Sequence, residues 1–427
     1  MKKFILLAFL FFSTELSLIS QWLQLTSNTN TSFYAVKFFN ANTGLIAGQD
    51  TVGKVFRTTN GGVNWTLVYR TNYSEIFRCI FFIDDLTGWI GSYNRIIYKS
   101  TNGGVNWFIA SNSIGAGGIN DIHFINESTG WLITENGGAG TTSDGGLTWF
   151  MNAPNFSGRA VHFFNGLTGI IATNERTIRR SISAGNGYTQ IYQLPAYAFV
   201  TDFHFLNTQT GFAGGNDKLI LKTTNSGLNW DIINLDNNGP PAENFRKIFF
   251  IDEQLGYGAG MSVYPGENIV NKLFSKTTNG GIHWTEIFLN SNQASFEDLV
   301  VAEGQIAYVV GVYDQIFKST NAGYIGINPI SSEIPNHFSL HQNYPNPFNP
   351  STKIKFEIPL NVETTRRVVS LSIFDILGRE VRSLVNDNLK PGIYEADFNA
   401  ADLPSGVYFY KLNAGEFVDT KKMILLK

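Results

Sequence analysis

The sequence predicts an all-β protein, a seven-bladed β-propeller followed by a small immunoglobulin-like β-sandwich. Two observations lead to the propeller: a turn motif that returns at a nearly constant interval, and four strand-like segments within each interval. The aromatic residue of the motif recurs after 42 residues from Trp65 to Trp107, and after another 42 residues at Trp149. A period of roughly 40–45 residues is that of one four-stranded blade. After Gly326 the repeat stops, and alternating strands predict the sandwich.

The repeated motif, Thr-x-Asn-Gly-Gly-x-x-Trp, is a turn between the third and fourth strands of each blade. The Asn or Asp side chain can accept hydrogen bonds from backbone N–H groups, and the glycines supply positive φ without steric cost. The tryptophan adds a large apolar face for packing, so the motif is interpreted as structural. The predicted turn residues are Asn60, Trp65, Asn102, Trp107, Asp144, Trp149, Asn225, Trp230, Asn279 and Trp284.

The first and last repeats are incomplete and complement each other. The seventh repeat has three strands and then Gly326 where the aromatic residue is expected. The segment Trp22–Leu25 has the pattern of a fourth strand with no repeat before it, and 43 residues separate Trp22 from Trp65. We therefore predict that this N-terminal strand completes the last blade, which removes exposed edges and sets the count at seven. The predicted propeller covers residues 21–327.

Two stretches of the repeat carry a specific resemblance. Residues 142–149, Thr-Ser-Asp-Gly-Gly-Leu-Thr-Trp, resemble the Asp-box of bacterial sialidase-type (BNR) repeats. Residues 82–104 are closer to the propellers of the photosystem II stability/assembly-factor type. The resemblance implies the propeller fold, whereas a shared fold does not determine function. Most copies carry Asn where those families usually have Asp, which keeps the turn geometry but removes the charge.

The N-terminal segment predicts export. Lys2 and Lys3 precede an apolar run over 4–12 and small or polar residues to Ser20, which is the pattern of a signal peptide at residues 1–20. No transmembrane segment is expected after its removal. The net charge of −3 gives no basic footprint for nucleic acid. The single cysteine, Cys79, allows neither an intramolecular disulfide nor a Cys-based metal site.

The chain after the propeller predicts a linker at 328–337 and a second domain at 338–427. That domain resembles the type A sorting domain of the type IX secretion system of Bacteroidota-like bacteria. The matching motifs are residues 343–350, 373–381, 405–408 and 421–427. The resemblance implies that the secretion machinery is a partner and that the protein is secreted or lies at the outer-membrane surface of a Gram-negative bacterium. The implied sorting-signal residues are Gly406, Tyr408, Lys421 and Lys422.

Binding is expected on the loops opposite the Asn-Gly-Gly turns, because loops on a rigid scaffold commonly carry function. The alternative is that these residues only form turns on a solvated face. Two insertions on the same face lengthen the interval between Trp230 and Trp284 to 54 residues. The candidate binding residues are Tyr93, Asn94, Arg95, Glu135, Asn174, Glu175, Arg176, Asp217, Lys218, Tyr264, Glu267, Tyr313 and Asp314.

The sequence predicts no cofactor and no metal site. His123, His162 and His204 share one position of the first strand and are interpreted as polar spacers around the central channel. We predict a non-catalytic binding or scaffolding module whose partner is an unknown extracellular protein or glycan. The alternative is a secreted glycoside hydrolase of sialidase-like or xyloglucanase-like type. A sialidase would need an arginine cluster with a Tyr/Glu pair, but the arginines are scattered along the sequence, and a xyloglucanase would need paired carboxylates.

Overall fold

The computed structural model describes most of the chain as β-strands and their connections. The described residues are 22–153, 156–235, 242–264, 269–287, 294–302, 306–319, 327–331, 334–360, 368–389, 391–400 and 403–426. The predicted signal peptide and Gly326 lie outside them. The chain divides into two compact units, residues 1–322 and 323–427. Every regular element in the described residues is a strand, so the predicted all-β class is confirmed.

The described part of the first unit contains seven four-stranded antiparallel sheets. In six of them the four strands follow one another along the chain, as successive hairpins require. Their strands are β2 (Ser32–Phe38), β3 (Gly44–Gln49), β4 (Gly53–Thr58) and β5 (Thr66–Arg70); β6 (Phe77–Phe82), β7 (Gly88–Ser92), β8 (Ile97–Ser100) and β9 (Phe108–Ser111); β10 (Ile119–Phe124), β11 (Gly130–Thr134), β12 (Ala139–Thr142) and β13 (Phe150–Ala153); β14 (Gly158–Phe163), β15 (Gly169–Thr173), β16 (Thr177–Ser181) and β17 (Thr189–Gln193); β18 (Val200–Phe205), β19 (Gly211–Gly215), β20 (Ile220–Thr223) and β21 (Asp231–Asn234); and β22 (Ala242–Phe250), β23 (Gly256–Tyr264), β24 (Ile269–Thr277) and β25 (Thr285–Glu286).

The seventh sheet joins the two ends of the propeller. Its strands, in spatial order, are β1 (Trp22–Leu25), β28 (Gln315–Ser319), β27 (Ile306–Gly311) and β26 (Phe296–Ala302). β1 pairs antiparallel with β28, with Trp22 opposite Ser319. The first strands of successive sheets contact one another, and β26 contacts β2, so the described sheets form a closed ring. The N-terminal strand therefore supplies the strand that the last repeat lacks.

Aromatic side chains join neighbouring sheets. In four places, a ring from the second strand of one sheet stacks on the phenylalanine that ends the first strand of the next sheet. These pairs are Trp89–Phe124, Trp131–Phe163, Phe212–Phe250 and Tyr308–Phe38, with ring centroids 3.5–3.7 Å apart. The last pair joins the seventh sheet to the first. Such rings bury large apolar areas, so each sheet depends on its neighbours for its core.

The repeated turns form hydrogen bonds within themselves. In the first turn, Thr58 Oγ1 accepts a bond from Gly62 N and Asn60 Oδ1 accepts one from Asn64 N, each over 2.9 Å. The same bonds occur in the turns that begin at residues 100, 142, 223 and 277. Desolvation alone would raise the pKa of Asp144, but hydrogen bonds within the turn outweigh this effect and lower that pKa to about 2. The polar groups of the motif are thus engaged in the turn's own backbone.

The described residues of the second unit contain eight strands. They are β29 (Ile327–Ser331), β30 (Ser339–Leu340), β31 (Ser351–Ile358), β32 (Val368–Phe374), β33 (Glu380–Asn388), β34 (Gly392–Asn399), β35 (Gly406–Ala414) and β36 (Phe417–Leu425). They form a sandwich of two antiparallel sheets, with strand orders β29-β34-β31-β30 and β33-β32-β35-β36. The two sheets share one apolar core, which includes Phe356, Leu371 and Tyr410.

Strand β29 lies within the stretch that the sequence assigned to a linker. It pairs antiparallel with β34, with Ile327 opposite Ala396 and Ser331 opposite Ile393. Residues 328–331 are therefore part of a sheet rather than of a linker. The sequence hides this strand because Asn, Pro and Ser are typical turn residues. The remaining domain boundaries stay a prediction.

The residues proposed as a sorting signal lie on the last two strands. Gly406 begins β35, and the buried Tyr408 donates its hydroxyl hydrogen to the Pro404 carbonyl over 2.8 Å. Lys421 and Lys422 follow each other on β36. Their side chains therefore point to opposite faces of the sheet, as neighbours in a strand do.

Candidate binding site at the channel mouth

The first strand of every propeller sheet carries the same irregularity. Its pairing with the second strand shifts register around one residue, for example between Phe77 and Cys79 and between Phe245 and Lys247. A bulge of this kind re-aims the side chain of the extra residue. Seven residues hold this position, one in each sheet, and we call them the mouth ring. They are Tyr34, Arg78, Asn120, Arg159, Thr201, Arg246 and Glu297.

The mouth ring faces the predicted binding loops. Phe77, next to Arg78, pairs with Ser92, which directly precedes the loop that contains Tyr93. The charged members of the ring also interact electrostatically across the channel. Desolvation lowers the pKa of Arg159, and the charges of Arg246 and Arg78 lower it further. Arginines from three sheets therefore surround one opening.

Arg78 connects the ring to two of the predicted loop residues. Its Nη1 donates to Asn120 Oδ1 over 2.6 Å and lies 3.3 Å from Glu135 Oε2. Its guanidinium carbon lies 4.6 Å from the ring centroid of Tyr93, a cation–π distance. Asn174 Nδ2 donates to the Glu135 carbonyl over 3.1 Å. Tyr93, Glu135 and Asn174 are thus brought together beside the mouth.

Arg246 has a carboxylate partner of its own. Its Nε lies 3.1 Å from Glu297 Oε2, and Glu297 is the less exposed of the two side chains. Burial raises the pKa of Glu297, while Arg246 lowers it. Burial and the charge of Glu297 also raise the pKa of Tyr34 in the adjoining sheet. This part of the mouth therefore places a phenol, a carboxyl and a guanidinium side by side.

Arg159 differs from the other two arginines of the ring. Among the described residues, neither a hydrogen bond nor an ion pair is formed by its guanidinium, and the residue is exposed. Glu135 contributes only a longer-range attraction. Arg159 is therefore exposed at the opening, where a ligand can reach it.

A charged layer lies directly beneath the mouth ring. It consists of Asp121, Asp202, Lys247 and Asp298, each one residue further along its first strand. Lys247 Nζ donates to Asp202 Oδ1 over 2.8 Å. Burial alone would lower the pKa of Lys247, but the three carboxylates outweigh it and raise that pKa. Lys247 supplies the positive charge of this layer.

The three histidines lie deeper in the channel, on consecutive sheets. His123 and His162 have ring centroids 4.5 Å apart, and His204 lies 4.3 Å from Phe249 with the two rings tilted by 45°. Burial lowers the pKa of His123 and His204 to about 4 and that of His162 well below its usual range. Within the described part of the chain, no group of three or more His, Cys, Asp or Glu side chains is arranged to hold a metal ion.

Two of the predicted loop residues have structural partners. Lys218 is buried and forms ion pairs with Glu243 and, at 3.7 Å, with Glu286. Asp314 Oδ1 accepts a hydrogen bond from Ser27 Oγ over 2.6 Å, which fastens the segment after β1 to the seventh sheet. The charged groups of Lys218 and Asp314 therefore stabilise the loop face through partners within the protein.

The other predicted loop residues form turns or short local contacts. Asn94 and Arg95 donate to main-chain carbonyls over 2.8 and 3.0 Å, and Glu175 lies 3.1 Å from Arg179. Several of the predicted residues have positive φ. They are Arg95, Arg176, Asp217, Lys218, Tyr313 and Asp314.

The insertion between β23 and β24 is only partly described. Tyr264 ends β23, opposite Ile269, and Glu267 lies outside the described residues. Tyr313, by contrast, is 68% exposed on the loop face of the seventh sheet.

Sequence reasoning missed the arginine cluster because it treated those residues as scattered. Arg78, Arg159 and Arg246 each precede by four residues the phenylalanine that ends their strand, at Phe82, Phe163 and Phe250. Aligning the repeats on that phenylalanine, rather than on the Asn-Gly-Gly turn, reveals the shared position.

Comparison with known families matches the two parts of the chain separately. Residues 342–426 match the family of secretion system C-terminal sorting domains. Residues 14–149 match the family of photosynthesis system II assembly factor YCF48. Both predicted resemblances are confirmed. The sorting domain indicates a secreted or cell-surface protein of a Bacteroidota-type bacterium, exported by the type IX secretion system.

Individual proteins agree with this assignment. The photosystem II assembly lipoprotein Ycf48 of Synechococcus sp. (strain CC9902) is 29% identical over 163 residues, which are 37% of this chain and 43% of that protein. The match thus spans less than half of that relative. A structure of YCF48 bound to D1 peptide is 14% identical with a TM-score of 0.55, covering 70% of this chain and 97% of the other.

A glycoside hydrolase has a similar fold. The GH74 xyloglucanase from Xanthomonas campestris is 12% identical with a TM-score of 0.54, covering 79% of this chain and 59% of the enzyme. At such low identity both structural likenesses show the propeller fold alone. Among the described residues there is no helix with the length and apolarity needed to span a membrane.

Proposed function

We propose that the protein is a non-catalytic binding module that holds a carboxylate-bearing extracellular protein or glycan at its mouth ring. It acts after export, in the secreted state or at the outer-membrane surface. The observation that carries the proposal is the placement of Arg78, Arg159 and Arg246 at one bulge position around one opening. Guanidinium groups bind carboxylates through paired, charge-assisted hydrogen bonds.

The partners of the three arginines support different roles for Arg159 and for the other two. Glu135 fixes Arg78 and Glu297 fixes Arg246, so these two guanidinium groups shape the opening. Arg159, exposed and without such a partner in the described residues, is the group that receives the ligand carboxylate. Tyr93, which is 45% exposed, borders the same opening.

A similar propeller supports a peptide as one form of the ligand. The YCF48 structure with a TM-score of 0.55 is a complex with D1 peptide. We extend to this chain only the class of ligand, a peptide, and not that particular partner. The carboxylates of the proposed ligand are inferred from the arginines at the mouth.

Replacing Arg159 with glutamine is expected to weaken the binding of an acidic peptide by roughly thirtyfold, or about 2 kcal/mol, because a charge-assisted bond is lost. The probe is an octapeptide of alternating glycine and glutamate, titrated by calorimetry at pH 7 and low salt. The control peptide carries glutamine in place of glutamate and an amidated C-terminus.

The matched control variant is Arg70→Gln, which removes the same charge from an exposed outer strand. This variant is expected to bind the acidic peptide as the unmodified protein does. Equal affinity of the Arg159→Gln variant and the unmodified protein would contradict the proposal. Equal binding of the two peptides would contradict it as well.

A second candidate function is the hydrolysis of an acidic sugar. It is favoured by the placement of Tyr34 and Glu297 on adjoining first strands, where each lies near Arg246. A sialidase combines such a Tyr/Glu pair with arginines. The test is release of methylumbelliferone from its sialoside, with Glu297→Gln as the inactive variant. If the unmodified protein releases none, this candidate is removed and the binding function stands alone.

A further inference from the structure

We infer that the charged layer beneath the mouth ring makes the affinity of the mouth for anions depend on the external pH. The layer is the set Asp121, Asp202, Lys247 and Asp298. The inference rests on the proposed function, because it concerns the regulation of the same site. Its consequence is a binding module that holds an anionic partner more tightly in mildly acidic surroundings.

The layer is close enough to the ring to act on it. Asp121 directly follows Asn120 and Asp298 directly follows Glu297 in their strands. Consecutive Cα atoms are about 3.8 Å apart, and both residues belong to a bulge, where neighbouring side chains point to similar sides. Asp121 Oδ2 also accepts a hydrogen bond from Val161 N, two residues beyond Arg159 in the same strand. A carboxylate of the layer therefore lies against the strand that carries Arg159, and charges interact over longer distances inside a protein than in water.

The layer carries more negative than positive charge when all of its carboxyls are ionised. It holds three carboxylates and one ammonium, which leaves two negative charges. Two of the carboxylates are fixed by backbone bonds to the next sheet. Asp121 Oδ2 accepts from Val161 N over 2.9 Å, and Asp298 Oδ2 accepts from Val36 N over 2.8 Å. These bonds hold both carboxylates in place against the neighbouring first strands.

Two of these carboxyls change charge in a mildly acidic range. Burial raises the pKa of Asp121 and of Asp298 to about 6, with Lys247 opposing the shift. Between pH 7.5 and pH 5.5 each takes up most of a proton, and the layer approaches neutrality. An anion at the mouth is then repelled less, so its affinity rises as the pH falls. Linkage makes the effect reciprocal, since a bound anion favours protonation of both carboxyls.

The other titratable groups around the layer act in the same direction or not at all. Above it, burial raises the pKa of Glu297, so that its protonation also adds positive charge to the mouth. Beside it, burial raises the pKa of Cys79, which stays a neutral thiol. Below it, His123 and His204 keep a pKa of about 4 and stay neutral above pH 5, and that of His162 is also lowered.

The test compares the unmodified protein with the double variant Asp121→Asn/Asp298→Asn. Asparagine retains an oxygen that accepts the bonds from Val161 and Val36, and a thermal melt checks that both proteins are folded. Calorimetry with the glycine–glutamate octapeptide is expected to show about tenfold tighter binding at pH 5.5 than at pH 7.5 for the unmodified protein. The double variant is expected to bind tightly at both pH values.

The control variant is Asp231→Asn, which removes one charge from an exposed outer strand and is expected to keep the full pH dependence. Inorganic sulfate, followed by the rise in melting temperature, is a second probe that needs no particular partner. If the peptide fails to bind at any pH, the proposed function fails, and the sulfate response alone decides the inference. The inference would be overturned if the unmodified protein bound the probe equally well at both pH values. It would also be overturned if the double variant showed the same pH dependence as the unmodified protein.

Discussion

Replacing Lys247 with methionine is expected to destabilise the propeller by about 3 kcal/mol, as the removal of one partner from a buried ion pair does. Asp121, Asp202 and Asp298 surround this lysine, and its Nζ lies 2.8 Å from Asp202 Oδ1. Methionine retains the apolar stem but leaves three carboxylates without their cation. The measurement is the free energy of unfolding by urea at pH 7.5.

The control for this variant is Lys222→Met. Lys222 lies 2.9 Å from Glu253, but that carboxylate is 57% exposed, and a surface pair contributes less than about 1 kcal/mol. The loss of stability in the Lys247→Met variant is expected to be smaller at pH 5.5, because the carboxyls of Asp121 and Asp298 are then mostly protonated. A loss of stability no larger than that of the Lys222→Met variant would contradict the stabilising role of Lys247 among the three carboxylates.

Replacing Trp22 with alanine is expected to cost about 3–4 kcal/mol of stability. Trp22 is 8% exposed, packs edge-on against Phe274 with ring centroids 4.7 Å apart, and belongs to the strand that completes the seventh sheet. The substitution leaves a cavity and loosens the strand that closes the ring. The measurement is again the free energy of unfolding by urea.

Leu23→Ala is the matched control, because Leu23 is the next residue of the same strand and is 54% exposed. Its expected cost is below about 0.5 kcal/mol. An equal loss of stability in the two variants would contradict the packing of Trp22 as the source of the stabilisation by β1.

Periodicity made the architecture predictable. The interval between turn aromatics indicated four-stranded units, and the missing aromatic at Gly326 pointed to Trp22 as its replacement, as the pairing of β1 with β28 shows. The strand at Ile327–Ser331 was missed because its residues favour turns, and only its partner β34 makes them a strand. Pairing partners distant in the chain leave no local signature.

The site was only partly predictable, for a related reason. The predicted loop residues Tyr93 and Glu135 do lie beside the mouth, but they do so through Arg78, a strand residue. Propensity identifies loops, whereas a bulge that re-aims Arg159 toward an opening depends on the register between two strands. Burial, which sets the charge of Asp121 and Asp298, is likewise a property of the assembled ring.

Binding of a ligand carboxylate by Arg159 can be observed by nuclear magnetic resonance of the arginine side chains. The Nε–H signals of the protein are followed while the glycine–glutamate octapeptide is added. The Arg159 signal is expected to shift and to saturate with the dissociation constant found by calorimetry, while the signal of Arg70 stays unchanged. An unshifted Arg159 signal at saturating peptide would rule out Arg159 as the carboxylate-binding residue.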